Sequence, residues 1–181
     1  MVKGSTLHTA GRHFPTVLGQ ARWDAIVAKL PADTQRLLDS ADFNEWYPEW
    51  QLRRVVHLLF EDAAEGDRER FLELVRGMTT AGISRFFRLL INFSSGAFAL
   101  RKIPIMWDRF RQGPASVESE VTGDGRVLLH YTDYAYASDP VYRLLSVGNV
   151  QAIVYAATRK IPDWQVVCFD DDSMTLAFVI P

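Results

Sequence analysis

The chain contains one cysteine and no long apolar run, and these two shortages exclude several classes of protein. A lone Cys168 excludes an internal disulfide and a cysteine-rich zinc site, and it fits a reducing compartment. No stretch of about 18 apolar residues is present, so the sequence predicts no membrane span. The first residues, Met1 to Ser5, lack the apolar stretch of a secretory signal. We therefore expect a cytoplasmic protein.

Patterns that carry catalysis or bind metal are also scarce. The four histidines are dispersed, and no pair has the spacing of a metal site. The sequence has no phosphate loop, no dinucleotide-binding glycine motif and no nucleophile elbow. The net charge of −2 gives no overall basic field that would attract nucleic acid. We predict no enzyme, no catalytic residue, no metal, no cofactor and no nucleic-acid partner.

Helical patterns fill the N-terminal two-thirds of the chain. Apolar residues recur at helical spacing and predict helices near 9–29, 49–64, 71–78, 84–92 and 97–111. Pro15 is expected in the first turn of the first of these helices, and Pro104 is expected to kink or split the last. The stretch 84–92 is apolar almost all round, which is typical of a central helix.

The pattern changes after Gly113. Residues 116–121 alternate with period two, and Gly123-Asp124-Gly125 predicts a hairpin turn into a second strand over 127–131. Asp139 and Pro140 are suited to the N-cap and first position of a helix over 141–160, in which Gly148 indicates close packing against the sheet. A second hairpin is expected over 164–180.

These elements predict an α+β fold in a single domain, residues 1–181. Its helical part, residues 1–113, is packed with an antiparallel ββαββ part, residues 114–181.

Aromatic residues are dense between positions 46 and 110, and two interpretations stay open. They form either an apolar ligand pocket or plain core. The pocket interpretation places its border at Trp46, Tyr47, Trp50, Phe87, Phe98 and Trp107. Arginines at the mouth would then meet an anionic group, and the candidates are Arg85, Arg88 and Arg101. The same arginines also fit a solvated rim.

Three motifs resemble a paralogous family of small uncharacterised proteins of myxobacteria, and the similarity extends over essentially the whole chain. They are Val2-Lys3-Gly4-Ser5, Trp46-Tyr47-Pro48 and Leu100-Arg101-Lys102-Ile103-Pro104-Ile105-Met106-Trp107. That family resembles the ligand-binding fold of four-vinyl-reductase-type domains, haem nitric-oxide-binding domains and TRAPP vesicle-tethering subunits, a fold of NO signalling and Golgi transport. The resemblance implies helices packed on an antiparallel sheet and a homodimer formed through helices.

The chain departs from each branch of this fold. The haem branch uses Tyr-x-Ser-x-Arg, and the nearest stretch here, Tyr142-Arg143-Leu144-Leu145-Ser146, does not match it. The cysteines that bind zinc or an acyl chain in the other branches have no equivalent beside Cys168. The resemblance therefore implies a scaffold and an apolar pocket, and no functional residue is carried over.

Three functions follow as alternatives. The first is a non-enzymatic, cytoplasmic sensory or adaptor domain that holds a small apolar ligand in an aromatic-lined pocket between helices. The second is a protein-protein interaction module without a ligand, such as a signalling or motility scaffold. The third is an enzyme with unfamiliar catalytic residues.

Overall fold

The computed structural model describes residues 1–83 and 95–179. Its helical part contains α1 (Gly4–Leu18), α2 (Gln20–Val27), α3 (Ala32–Ser40), α4 (Glu49–Leu58), α5 (Arg68–Gly82), α6 (Gly96–Arg101) and α7 (Ile103–Phe110). A π-helical turn, Leu59–Ala63, extends α4. The C-terminal part contains β3 (Ser116–Val121), β4 (Arg126–Thr132), α8 (Pro140–Thr158), β5 (Trp164–Phe169) and β6 (Met174–Val179). The predicted α+β fold is confirmed, and the helix expected over 84–92 lies outside the described residues.

The first helix begins and ends differently from the prediction. Strand β1 (Val2–Lys3) pairs with β2 (Trp46–Tyr47), and α1 begins directly after β1, at Gly4. Pro15 lies inside α1 and not in its first turn. The helix breaks at Gly19, whose φ of 83° is left-handed and suits glycine, so the expected single helix is two.

The predicted helix over 97–111 is split near Pro104, as expected. Ser95 caps α6 by accepting a hydrogen bond from the amide of Phe98. Lys102 separates α6 from α7, and Pro104 lies in the first turn of α7, where its missing amide hydrogen costs little.

The C-terminal strands form one antiparallel sheet in the order β3-β4-β6-β5. Val127, Leu129 and Tyr131 of β4 alternate inward, and β6 contributes the buried Met174 and Leu176 to the same core. Strand β5 is an edge strand with a register shift between Val166 and Cys168, and most of its residues are exposed. The core therefore lies on one side of β4 and β6, toward the helices.

Helix α8 is the central helix of the described part, and Asp139 anchors its start. The Asp139 carboxylate accepts hydrogen bonds from the amides of Val141 and Tyr142, which confirms the predicted N-cap. It also accepts hydrogen bonds from Arg53 (2.7 Å) and His57 (2.8 Å) of α4. One carboxylate thus caps α8 and joins it to the helical part.

The close approach at Gly148 is to α5 and not to the sheet. A Cβ at this position would lie 2.6 Å from Cγ1 and 2.8 Å from Cβ of Val75. Glycine therefore sets the spacing of α5 and α8, the most extensively packed helix pair.

We expect Gly148→Ala to lower the free energy of unfolding by about 1–3 kcal/mol, because the clash with Val75 requires the two helices to move apart. The intrinsic helix preference of alanine offsets about 1 kcal/mol of the clash. Gly82→Ala is the matched control, since its Cβ would make only ordinary contact, 3.4 Å, with Thr9. Urea unfolding of both variants measures the effect. Equal stabilities for the two variants would contradict the prediction.

Candidate functional site

A partly enclosed cavity lies where α1, α5, α7, α8 and β4 meet. Its volume is about 120 Å³. Much of its wall is apolar, and this part comprises Leu52, Met78, Ile83, Ile103, Met106, Trp107, Phe110, Leu145, Val150 and Ile153. The cavity thus lies between the helical part and the C-terminal part, where one molecule would contact both.

Polar residues occupy the rest of the wall apart from Gly82. They are Ser5, Thr6, Thr9, Thr79, Arg111, Tyr131, Ser146 and Asn149. Thr79 donates a hydrogen bond to the side-chain oxygen of Asn149 (2.6 Å), which ties α5 to α8 at the cavity. An apolar wall with a few fixed polar groups is the usual composition of a small-molecule site.

Arg111 carries the one formal charge among these wall residues. Its Nε donates a hydrogen bond to Oε1 of Glu49 (2.7 Å), and the exposed fractions of the two side chains are 9% and 11%. Burial alone would lower the pKa of Arg111, but the neighbouring Glu49 carboxylate raises it above its ordinary value. The guanidinium therefore stays charged, and Glu49 neutralises it.

A cluster of five aromatic rings begins at this ion pair, where the Arg111 guanidinium lies 5.3 Å from the centroid of the Trp107 ring. The Trp107 ring meets Tyr131 and Tyr134 edge to face at 5.4 and 5.1 Å between centroids. Tyr134 also contacts the rings of Tyr136 and Tyr142, at 6.0 and 6.3 Å between centroids. Burial raises the pKa of Tyr131, Tyr134 and Tyr142, so all three hydroxyls stay protonated.

Of the five described candidates for the pocket border, one lies on the cavity wall and four do not. Trp107 lines the cavity, and its Nε1 donates a hydrogen bond to the carbonyl of Ala115. Trp46 and Tyr47 are half-buried on β2, while Trp50 and Phe98 are exposed beside the cations of neighbouring side chains.

The arginine candidates also divide. Arg101 is exposed on α6, with Nε directed at the carbonyl of Ala97 (3.4 Å). Arg85 and Arg88, like Phe87 on the border, lie outside the described residues. A ligand-binding role stays a prediction for every candidate, including Trp107.

Sequence reasoning missed the buried ion pair whose arginine, Arg111, lies on the cavity wall. Glu49 and Arg111 are 62 positions apart, and no local pattern marks the pair. A usable signal was present in the tyrosines: Tyr131, Tyr134, Tyr136 and Tyr142 fall within 12 residues at the junction of β4 and α8.

No protein-family model matches the chain, and no curated protein matches it in sequence. Solved structures of H-NOX proteins do match over nearly the whole chain. One is the protein from S. oneidensis in its Fe(II)NO state, with a TM-score of 0.66, 12% identity and 99% of each chain covered.

Two further H-NOX structures agree. The unliganded Fe(II) protein from K. algicida gives a TM-score of 0.69 at 10% identity, covering 99% of this chain and 96% of that one. A single-site mutant of the T. tengcongensis protein gives 0.67 at 11%, covering 98% and 97%. The chain therefore has an H-NOX-like fold, and at these identities the similarity shows the fold alone.

The H-NOX fold raises the question of haem, whose iron is usually held by an axial histidine or cysteine. All four histidines and the one cysteine are among the described residues, and none of them lines the cavity. His57 bonds Asp139, and His130 lies on the sheet beside Thr175 and Glu120. His8 packs against Phe43, His13 packs near Gly77, and Cys168 is exposed on β5.

The other described wall residues that could bind iron do not replace an axial histidine or cysteine. Met78 and Met106 are weak donors that bind haem iron together with a histidine, and Tyr131 stays protonated because burial raises its pKa. The volume of about 120 Å³ is also below the 300–1,000 Å³ typical of sites for larger ligands. The described residues therefore do not fit haem. Within the same part of the chain, no cluster of metal-ligating side chains occurs and no helix could span a membrane.

Proposed function

We propose that this chain is a non-enzymatic, cytoplasmic sensory domain in which the cavity between the helical part and α8 holds a small apolar molecule. The observation that supports this most is the cavity itself, because its wall combines both parts of the fold. A ligand there would contact α1, α5, α7 and α8 together and would favour one packing of these helices over others. The compartment is inferred from the single cysteine.

The size of the cavity limits the ligand. A cavity of about 150 Å³ lined by aliphatic and aromatic side chains stays dry and binds benzene or xenon. The volume here, about 120 Å³, is slightly smaller. We therefore propose a ligand the size of one aromatic ring or smaller, held without haem.

Benzene is expected to raise the melting temperature of the protein, because a ligand that binds only the folded state stabilises it. Val150→Phe, which fills the cavity from α8, should remove that shift. Val167→Phe is the control, since it makes the same change at an exposed position of β5 and should retain the shift. Xenon bound in a pressurised crystal would locate the site independently. A benzene shift of equal size in Val150→Phe would contradict the proposal.

The interaction module is the second candidate, and exposed apolar side chains on the helical part favour it. They include Val17, Trp50, Phe98 and Ile105. We infer a homodimer through this part, with a partner protein as the other possible occupant. Light scattering at about 100 µM should give twice the monomer mass, because interfaces of standard size hold well below that concentration. A monomer under these conditions would count against the dimer.

Mass spectrometry under native and denaturing conditions separates the two candidates. A small mass lost on denaturation would support the sensory domain, and a dimer without any retained ligand would favour the interaction module. The single-domain organisation and membership in the myxobacterial family stay predictions.

A further inference from the structure

The side-chain amide of Asn149 has unpaired hydrogens on the cavity wall. Asn149 lies on α8, and its Oδ1 accepts the hydrogen bond that the Thr79 hydroxyl donates from α5. Both residues line the cavity, so this bond holds the amide at the wall. With Oδ1 occupied, the two hydrogens on Nδ2 are left, and Nδ2 makes no hydrogen bond to any residue that the structure describes.

Nδ2 of Asn149 is also accessible. Among residues 1–83 and 95–179, the buried side-chain atoms without a hydrogen-bond partner are Nε2 of His13 and the hydroxyl of Tyr134. Nδ2 of Asn149 is not one of them, so it keeps accessible surface although the residue is half-buried. A molecule that enters the cavity can therefore reach this donor. A molecule that covers the donor without accepting its hydrogens leaves a polar group without water, which is costly.

The helices around the cavity differ in polarity. Helix α7 contributes only apolar residues to the wall, and the indole N–H of its Trp107 is already bonded to the carbonyl of Ala115. The polar wall residues on helices are Ser5, Thr6 and Thr9 of α1, Thr79 of α5, and Ser146 and Asn149 of α8. We therefore expect a bound molecule to place its apolar body against α7 and its polar group toward Asn149.

The described part of the wall has no unpaired charge. Arg111 is its one charged residue, and the Glu49 carboxylate already neutralises the Arg111 guanidinium. A charged ligand would lose water without gaining a counter-charge, which is strongly disfavoured in a buried site. An uncharged oxygen meets no such penalty and can accept a hydrogen bond from Asn149.

We infer that the ligand is an uncharged, mainly apolar molecule with one acceptor oxygen, such as a carbonyl, which accepts a hydrogen bond from Nδ2 of Asn149. This inference rests on the proposed function and specifies the ligand class. It differs from the anionic group that the sequence suggested for the arginines, because the arginine on the wall is Arg111 and is paired.

Three probes of similar size test the inference in titrations followed by NMR: cyclopentanone, cyclopentane and butyrate. Cyclopentanone can accept a hydrogen bond but cannot donate one, and cyclopentane is the same ring without the oxygen. Both should bind the wild-type protein, and butyrate should bind more weakly than either.

Asn149→Asp keeps Oδ1 as the acceptor for Thr79 and replaces the amide donor by a second oxygen. The ratio of cyclopentanone affinity to cyclopentane affinity should then fall about fivefold to tenfold, which corresponds to one net hydrogen bond. The affinity for cyclopentane should change little. Asn44→Asp is the matched control, because it makes the same substitution at an exposed residue outside the cavity, and its ratio should equal that of the wild type.

A second variant removes the donor without adding a charge. Thr79→Val/Asn149→Leu replaces the bonded pair by apolar side chains of similar shape, so neither partner is left unpaired. Binding of cyclopentane by this variant reports an intact cavity, and its affinity ratio should fall as in Asn149→Asp. If Asn149→Asp loses cyclopentane as well, the double variant decides the test.

The other outcomes overturn the inference in distinguishable ways. An affinity ratio that stays unchanged in the variants would mean that the ligand oxygen does not meet Asn149, while the cavity would still bind cyclopentane. Tightest binding of butyrate would assign an anionic ligand to Arg111. Binding of none of the probes to the wild-type protein would overturn the proposed function as well.

Discussion

Replacing Glu49 by Ala is expected to lower the free energy of unfolding by about 3–5 kcal/mol, because it leaves the buried Arg111 guanidinium without its counter-charge. Only 9% of the Arg111 side chain and 11% of the Glu49 side chain are exposed, so water cannot replace the lost carboxylate. The pair also joins the start of α4 to the end of α7. Urea unfolding of the variant measures the loss.

A double-mutant cycle separates the ion pair from general packing. Arg111→Met keeps an unbranched apolar side chain and removes the charge, and on its own it leaves the Glu49 carboxylate unpaired. The double variant removes both charges, so its loss should be smaller than the sum of the single losses by about 1–3 kcal/mol. Additive losses would mean that the two charges do not stabilise each other.

The C-terminal part could be predicted from the sequence because its signals are local. The turn at Gly123-Asp124-Gly125 and the cap at Asp139 each act within a few residues, and the structure has both. The pairing of β1 with β2 was not predictable, since two-residue strands have no periodic pattern and their partners are more than 40 positions apart.

The site was less predictable than the fold. Aromatic density between positions 46 and 110 included Trp107, which lines the cavity, but it gave equal weight to Trp50 and Phe98, which are exposed. Composition does not say which ring turns inward, because that depends on packing between distant elements. The tyrosines at the junction of β4 and α8 could be interpreted only from the fold, because the fold brings Arg111 and Glu49 close to them.

The contribution of Asp139 to the free energy of unfolding should depend on pH, and the hydrogen bonds of its carboxylate determine the direction. Burial alone would raise the pKa of Asp139, but hydrogen bonds from His57, Arg53 and the amide of Tyr142 lower it below its ordinary value of 3.8. A carboxyl whose pKa is lower in the folded state stabilises that state above the unfolded pKa. This stabilisation is lost as the pH falls below 3.8 and through the folded pKa.

At neutral pH we expect Asp139→Ala to cost about 2–4 kcal/mol, from the lost N-cap and the lost charge-assisted hydrogen bonds. The expected loss is smaller than for a fully buried pair, because 44% of the Arg53 side chain and 28% of the His57 side chain are exposed. Water therefore replaces part of the hydrogen bonding that these two side chains lose.

Asp139→Asn isolates the charge, because asparagine caps a helix about as well as aspartate does. At pH 7 this variant should be less stable than the wild type, and the difference should shrink as both are acidified below pH 3.8, where the wild-type carboxyl becomes protonated. Asp171→Asn, at an exposed acid in the turn between β5 and β6, should show no such difference at any pH. Urea unfolding of the three proteins at a series of pH values provides the comparison. A stability gap that persists unchanged through acid pH would assign the role of Asp139 to its shape rather than to its charge, and the link between α4 and α8 would then not be electrostatic.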